Sequence, residues 1–118
     1  MKYPFEALFS VCTGERCNAE ERGAECGAAI RDVLKDLNRK SGRKPTVRIT
    51  ATSCLDLCDH GPNMLVWPAG TVFSHLTRDL AVEAYRGVMG DGPRREDLEL
   101  GEAEFEAGNS WATKKNRG

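Results

Sequence analysis

Two closely spaced pairs of cysteines are the residues of this sequence most able to do chemistry. The segment CTGERC places four residues between Cys12 and Cys17, and CLDLC places three between Cys54 and Cys58. Thiolates are soft donors, and four of them hold either an iron-sulfur cluster or a tetrahedral zinc ion. Because paired cysteines in zinc sites usually have two residues between them, the wider spacings favour an iron-sulfur cluster and leave zinc as the alternative.

Each cysteine pair follows a segment that is patterned as a β-strand. Residues 5–11 (FEALFSV) mix aromatic and branched side chains and run directly into Cys12. Residues 46–52 (TVRITAT) alternate β-branched and polar side chains and lead to Cys54. Both segments are typical of strands, and if the strands are adjacent, the two cysteine pairs meet.

A helix is predicted between these strands and a hairpin after them. Apolar positions recur at helical spacing from about residue 24 to Ser41, and they place Cys26 on the buried face of the helix. These positions are Cys26, Ile30, Val33 and Leu37. After CLDLC, residues 64–67 and 71–73 predict two short strands that are joined by a tight turn at Pro68–Ala69–Gly70.

A second helix is predicted after the hairpin. Thr77 is a favourable N-cap, Leu80, Ala84 and Val88 share one face, and Gly90 is suited to end the helix. A chain of 118 residues fits one domain, which we assign to residues 1–93.

Residues 94–118 differ in composition from the rest and are interpreted as a charged, poorly packed tail. Residues 96–106 contain six acidic side chains and no basic one, which leaves little apolar surface to bury. The alternative is that the large apolar side chains of this segment anchor it to the domain. They are Leu98, Leu100, Phe105 and Trp111.

The bulk composition predicts a cytoplasmic protein that neither spans a membrane nor binds nucleic acid. The net charge is -1, and no apolar run approaches the ~20 residues of a membrane helix. The first residues, MKYPFEALFSV, lack the regions of a signal peptide. A reducing compartment favours free thiols over disulfides, so clustered cysteines there indicate metal binding or redox chemistry.

The cysteine segments also resemble a known family. VCTGERC followed by RGA, and then SCLDLCDHGPNMLVWPAG, are similar to the thioredoxin-like 2Fe-2S ferredoxins and to the related small 2Fe-2S subunit of NADH dehydrogenases and hydrogenases. The resemblance implies an α/β fold with a thioredoxin-like mixed sheet of about four strands and two main helices. It also implies a 2Fe-2S cluster ligated by Cys12, Cys17, Cys54 and Cys58, and often a homodimer.

Three other side chains are candidate ligands. Some members of the family place their first two ligands farther apart, which makes Cys26 a competitor of Cys17, but a buried helix position favours a core role for Cys26. His60 follows the second pair and raises the possibility of Rieske-type ligation, which requires two histidines on one iron. The sequence places His75 on the far side of a hairpin, so His60 is interpreted as an exposed loop residue.

The function expected from these observations is that of a one-electron carrier, not of an enzyme by itself, which exchanges electrons with a redox protein partner. The alternatives are a 2Fe-2S subunit of a larger flavin-dependent oxidoreductase and a structural zinc module. A dithiol oxidoreductase ranks last because no C-x-x-C pair begins a helix. Leu55 and Leu57 are the predicted contact residues for a partner, whereas Trp67 is more typical of a core.

Overall fold

A four-stranded mixed sheet forms the centre of the fold. The computed structural model describes residues 1–2, 4–53, 55, 57 and 60–108. The elements in chain order are β1 (Ala7–Cys12), a 3-10 helix (Glu20–Glu25), α1 (Gly27–Lys40), β2 (Val47–Thr52), β3 (Met64–Trp67), β4 (Thr71–Phe73), α2 (Arg78–Met89), a second 3-10 helix (Glu96–Leu98) and α3 (Glu102–Gly108). In this part of the chain, no helix is long and apolar enough to cross a membrane.

The sheet has the strand order β2-β1-β3-β4. β1 pairs with β2 in parallel, and α1 connects the two strands. β3 pairs antiparallel with β1 and, through the hairpin, with β4. The four predicted strands are therefore confirmed, and the hairpin strands have the predicted bounds.

The core lies between the sheet and the helices. Alternate residues of β1, which are Ala7, Phe9 and Val11, are buried, as expected for a strand that turns one face to the core. Val47 and Ile49 of β2 are also buried, as predicted. Helix α1 packs against β1, β2 and α2.

Both helices are present, but their buried faces differ from the predicted ones. In α1 the buried side chains are Ile30, Leu34 and Asn38, a face that includes a polar residue. In α2, Ala84 is buried as predicted, whereas Val88 is 37% exposed. The buried face depends on where the sheet and the other helix lie, and hydrophobic spacing within one segment does not contain that information.

The ends of α2 agree with the prediction. The Thr77 hydroxyl accepts a hydrogen bond from the backbone N–H of Leu80 at 3.2 Å, which satisfies one of the free donors of the first turn. Gly90 follows the helix with φ of 80°, a left-handed conformation in which a side chain is disfavoured.

A buried hydrogen-bond network joins α1, α2 and β2. The Asn38 side-chain amide donates to the Val47 carbonyl at 2.9 Å, and its oxygen accepts from the Tyr85 hydroxyl at 2.8 Å. The Tyr85 ring packs on Phe9 with centroids 5.1 Å apart. Asn38 is tolerated in the core because both ends of its amide are satisfied.

The segment after α2 is packed more closely than the expected tail. Leu98 is buried in the core, and the N–H of Leu100 donates to the carbonyl of Val72 at 2.8 Å. Glu99 forms an isolated bridge with Phe73 of β4. The Leu98 side chain and the Leu100 backbone therefore contact the domain, whereas Trp111 lies outside the described residues.

We expect Tyr85→Phe to lower the free energy of unfolding by about 1–3 kcal/mol, because it leaves the buried oxygen of Asn38 without a donor. Chemical denaturation of both proteins measures this difference. Val88→Ala, an exposed position of the same helix, is the control and should change stability by less than about 0.5 kcal/mol. Equal stability of wild type and Tyr85→Phe would contradict the role given to this network.

Candidate metal centre

Cys12 is the last residue of β1, and its side chain is fully buried. Its N–H donates to the carbonyl of Asn63 at 3.0 Å, and its Sγ lies 3.2 Å from the carbonyl oxygen of Ser53. In the parallel pairing, Cys12 is aligned with Thr52 at the end of β2. The first cysteine therefore lies at the sheet edge where β2 also ends.

The second cysteine pair, Cys54 and Cys58, lies outside the described residues, and the prediction that these residues are ligands stays a prediction. In the sequence, Cys54 directly follows Ser53, whose carbonyl contacts the sulfur of Cys12.

Cys17 lies in the loop between β1 and α1, and its side chain is also fully buried. Its carbonyl accepts a hydrogen bond from the N–H of Gly27 at 2.9 Å. The side-chain oxygen of Asn18 accepts from the N–H of Ala28 at 2.9 Å and so satisfies a free donor of the first turn of α1. These two hydrogen bonds connect the loop that carries Cys17 to the first turn of α1.

Cys26 differs from Cys12 and Cys17 in its position. It is the N-cap residue of α1 and is only partly buried. The expectation that Cys26 begins the buried helix face is therefore wrong, because the backbone of Cys26 is extended (ψ of 162°) and the helix begins one residue later.

Asn63 connects Cys12 and Cys17, a role that the sequence does not reveal. Besides accepting from Cys12, it places its side-chain Nδ2 3.6 Å from the Cys17 sulfur and 2.9 Å from the carbonyl of Leu57. The residue is fully buried, and its Oδ1 has no hydrogen-bond partner among the described atoms. In the sequence, Asn63 is a polar residue between Pro62 and an apolar strand. This pattern is equally typical of a turn, so it does not indicate a contact with the cysteines.

Thr13 connects the end of β1 to β2. Its N–H and its hydroxyl both donate to the carbonyl of Thr52 at 2.8 Å. Because both groups are directed at Thr52, the N–H group described near the Cys17 sulfur is that of the Asn63 side chain.

The two histidines are also placed differently from the expectation. His60 is 3% exposed, so it is not an exposed loop residue. His75 is not remote from it either, because the two ring centroids lie 5.9 Å apart. The loop after β4 folds back on the segment before β3, and the N–H of His75 donates to the carbonyl of His60 at 2.9 Å.

The apolar side chains close to the second cysteine pair in the sequence differ in their exposure to solvent. Leu55 and Leu57 are partly exposed, and Met64 is buried. Trp67 is 47% exposed, and it pairs with Leu8 at the end of β1 opposite to Cys12. Trp67 therefore does not belong to the core, in contrast to the prediction, and it lies away from Cys12.

The two buried cysteine side chains fit a metal centre with sulfur ligands. Cys12 and Cys17 are buried thiols that share one neighbour, Asn63. An N–H directed at a sulfur stabilises its thiolate form, which is the form that binds a metal. Buried thiols with a nearby amide donor suit iron-sulfur or zinc chemistry better than binding of a hard cation.

No known protein family and no curated protein matches the sequence. Solved structures of the thioredoxin-like 2Fe-2S ferredoxin from Aquifex aeolicus are similar to this chain. The wild-type form of that ferredoxin is 20% identical to this chain, with a TM-score of 0.68, and the match covers 85% of this chain and 100% of that chain. Another structure is 19% identical, with a TM-score of 0.69 over 84% and 93% of the two chains. The chain therefore has a thioredoxin-like fold, as predicted.

We expect Gly27→Ala to displace the N-terminus of α1 and to loosen the cysteine loop. A Cβ at Gly27 would lie 2.0 Å from the carbonyl oxygen of Cys12, which is backbone and cannot move aside cheaply. The expected loss of stability is about 1–3 kcal/mol or more, measured by denaturation, together with faster modification of Cys17 by a thiol reagent in the metal-free protein. Gly101→Ala is the control, because a Cβ there has no neighbour within 4 Å, and it should change neither the stability nor the rate of Cys17 modification. Equal behaviour of the two variants would refute the close packing of Gly27 against Cys12.

Proposed function

We propose that this chain holds one 2Fe-2S cluster on Cys12, Cys17, Cys54 and Cys58 and carries one electron at a time between redox proteins. The observation that carries the proposal is the pair of buried thiols joined by Asn63 at the edge where β1 and β2 end. The thioredoxin-like fold, which this chain shares with a 2Fe-2S ferredoxin from Aquifex aeolicus, supports it. The chain acts as a carrier and does not turn over a substrate.

The residues around the thiols have distinct roles in this proposal. A bound cluster supplies the redox chemistry by accepting and releasing one electron. Burial of Cys12 and Cys17 excludes water from their sulfurs, and the Asn63 N–H stabilises negative charge on Cys17. The backbone hydrogen bonds of Thr13 and Asn63 hold the end of β1 between its two neighbouring segments.

The proposal includes a redox protein as partner, a cytoplasmic location and a possible second copy of the chain as a homodimer. Leu55 and Leu57 are the proposed contact residues, because they are partly exposed and lie in the segment between Cys54 and Cys58. Partly exposed apolar side chains near a redox centre suit a transient contact that excludes water.

The first test is visible absorption of anaerobically purified protein, with iron, sulfide and zinc analysis of the same sample. We expect a red-brown protein that dithionite bleaches, with about two irons and two sulfides per chain. Alanine at each of the four proposed ligands should remove most of the iron. Cys26→Ala is the matched control and should retain it, because Cys26 is the N-cap of α1 and is not proposed as a ligand.

Two results would contradict this assignment. A colourless protein with one zinc, unchanged by attempted cluster reconstitution, would make the cysteines a structural zinc site. Iron that is retained without Cys17 but lost without Cys26 would exchange the two residues in the ligand set.

A second test concerns the reduction potential. Loss of the Asn63 N–H in Asn63→Leu removes a donor from the Cys17 sulfur and should make the cluster harder to reduce, since reduction adds negative charge. Given about 1 kcal/mol for such a bond, the expected decrease is roughly 20–60 mV from a starting value near about -400 mV.

Redox titration of samples with equal iron content measures the potential. Asn63→Asp is the matched variant, and its added negative charge should lower the potential further. An unchanged potential in both variants would show that Asn63 has only a structural role.

A further inference from the structure

Three segments that are distant in the sequence meet around His60. His60 precedes β3, His75 follows β4 and Glu104 belongs to α3. His75 Nε2 lies 2.8 Å from Glu104 Oε2, and His60 Nδ1 lies 3.9 Å from the same oxygen. One ligand atom from each residue lies within 4.8 Å of the other two.

These separations are close to those required by one tetrahedral ion. Zinc binds imidazole nitrogen at about 2.0–2.1 Å and carboxylate oxygen at about 2.0–2.2 Å, so its ligand atoms are separated by roughly 3.3–3.5 Å. Side-chain movements of about 1 Å or less would bring His60, His75 and Glu104 into this arrangement. Two imidazoles and a carboxylate are a donor set that zinc uses, with a water molecule as the fourth ligand.

The fold holds the two imidazoles in place independently of any ion. His60 is buried, and its ring lies 6.4 Å from that of Phe105 in α3. His75 has φ of 51°, a left-handed conformation that is disfavoured for a residue with a Cβ. Its N–H bond to the carbonyl of His60 helps to maintain that conformation, and such outliers are concentrated at ligand-binding sites.

We propose that His60 Nδ1, His75 Nε2 and a carboxylate oxygen of Glu104 bind a zinc ion without a cysteine ligand. The ion would connect α3 to the loops before β3 and after β4. Its ligands are nitrogen and oxygen atoms, in contrast to the sulfur ligands of the proposed cluster. The proposal is therefore independent of the proposed function, and either can fail without the other.

The test uses cluster-loaded, full-length protein dialysed against zinc, followed by zinc analysis and X-ray absorption at the zinc edge. We expect one zinc per chain with nitrogen or oxygen neighbours at about 2.0 Å and none at the about 2.3 Å of zinc-sulfur bonds. Zinc with sulfur neighbours alone, or no zinc retained, would overturn the proposal. Magnesium is the cation control and should not compete, because it prefers oxygen ligands.

Variants at exposed positions avoid the risk that a change at buried His60 prevents folding. His75 and Glu104 are 53% and 48% exposed, so His75→Ala and Glu104→Gln should fold. Each should weaken zinc binding at least about tenfold in calorimetric titration. Glu102→Gln, an exposed residue of the same helix, is the matched control and should retain wild-type affinity.

Hydrogen exchange distinguishes a zinc site from a simple ion pair between His75 and Glu104. In the proposal, zinc slows amide exchange in α3 of the wild type and of Glu102→Gln but not of His75→Ala. Exchange in α3 that is the same with and without zinc in the wild type would show that the ion pair alone holds the helix, and it would refute the site.

Discussion

Three hydrogen bonds of one buried asparagine connect the parts of the molecule that make up the cysteine site. The Asn63 carbonyl accepts from the end of β1, and its side-chain amide reaches both the carbonyl of Leu57 and the sulfur of Cys17. A buried amide is costly to desolvate, so its bonds favour one arrangement of the surrounding segments over others. The positions of Cys12 and Cys17 thus depend on a residue that is itself no metal ligand.

The order of the strands in the sheet explains why the Cys12 thiol is buried. β1 is an inner strand, so Cys12 is covered by β2 on one side and by the segment before β3 on the other. In the function that we propose, a carrier needs ligands that water does not reach and a surface that a second protein can approach. Leu55 and Leu57 are partly exposed, and they are the residues that we propose for that surface.

The segment after α2 extends the domain instead of leaving it. Leu98 fills the core, the backbone at Leu100 pairs with that of Val72, and α3 then lies against His60 and His75. The acidic residues of this segment are mostly on its exposed side, and Glu104 turns toward the two histidines. A region with few apolar residues can therefore pack on the domain through a small number of contacts, here those of Leu98 and the Leu100 backbone.

The sequence alone determined the features that depend on neighbouring residues. The hairpin at 64–73, the N-cap at Thr77 and the turn at Gly90 were predicted because alternation, capping and left-handed backbone preferences are local properties. The tertiary structure decided the buried faces of α1 and α2, the contact of His60 with His75 and the role of Asn63. Each of these depends on residues that are distant in the chain and come together only when the sheet and helices pack, so local periodicity does not encode them.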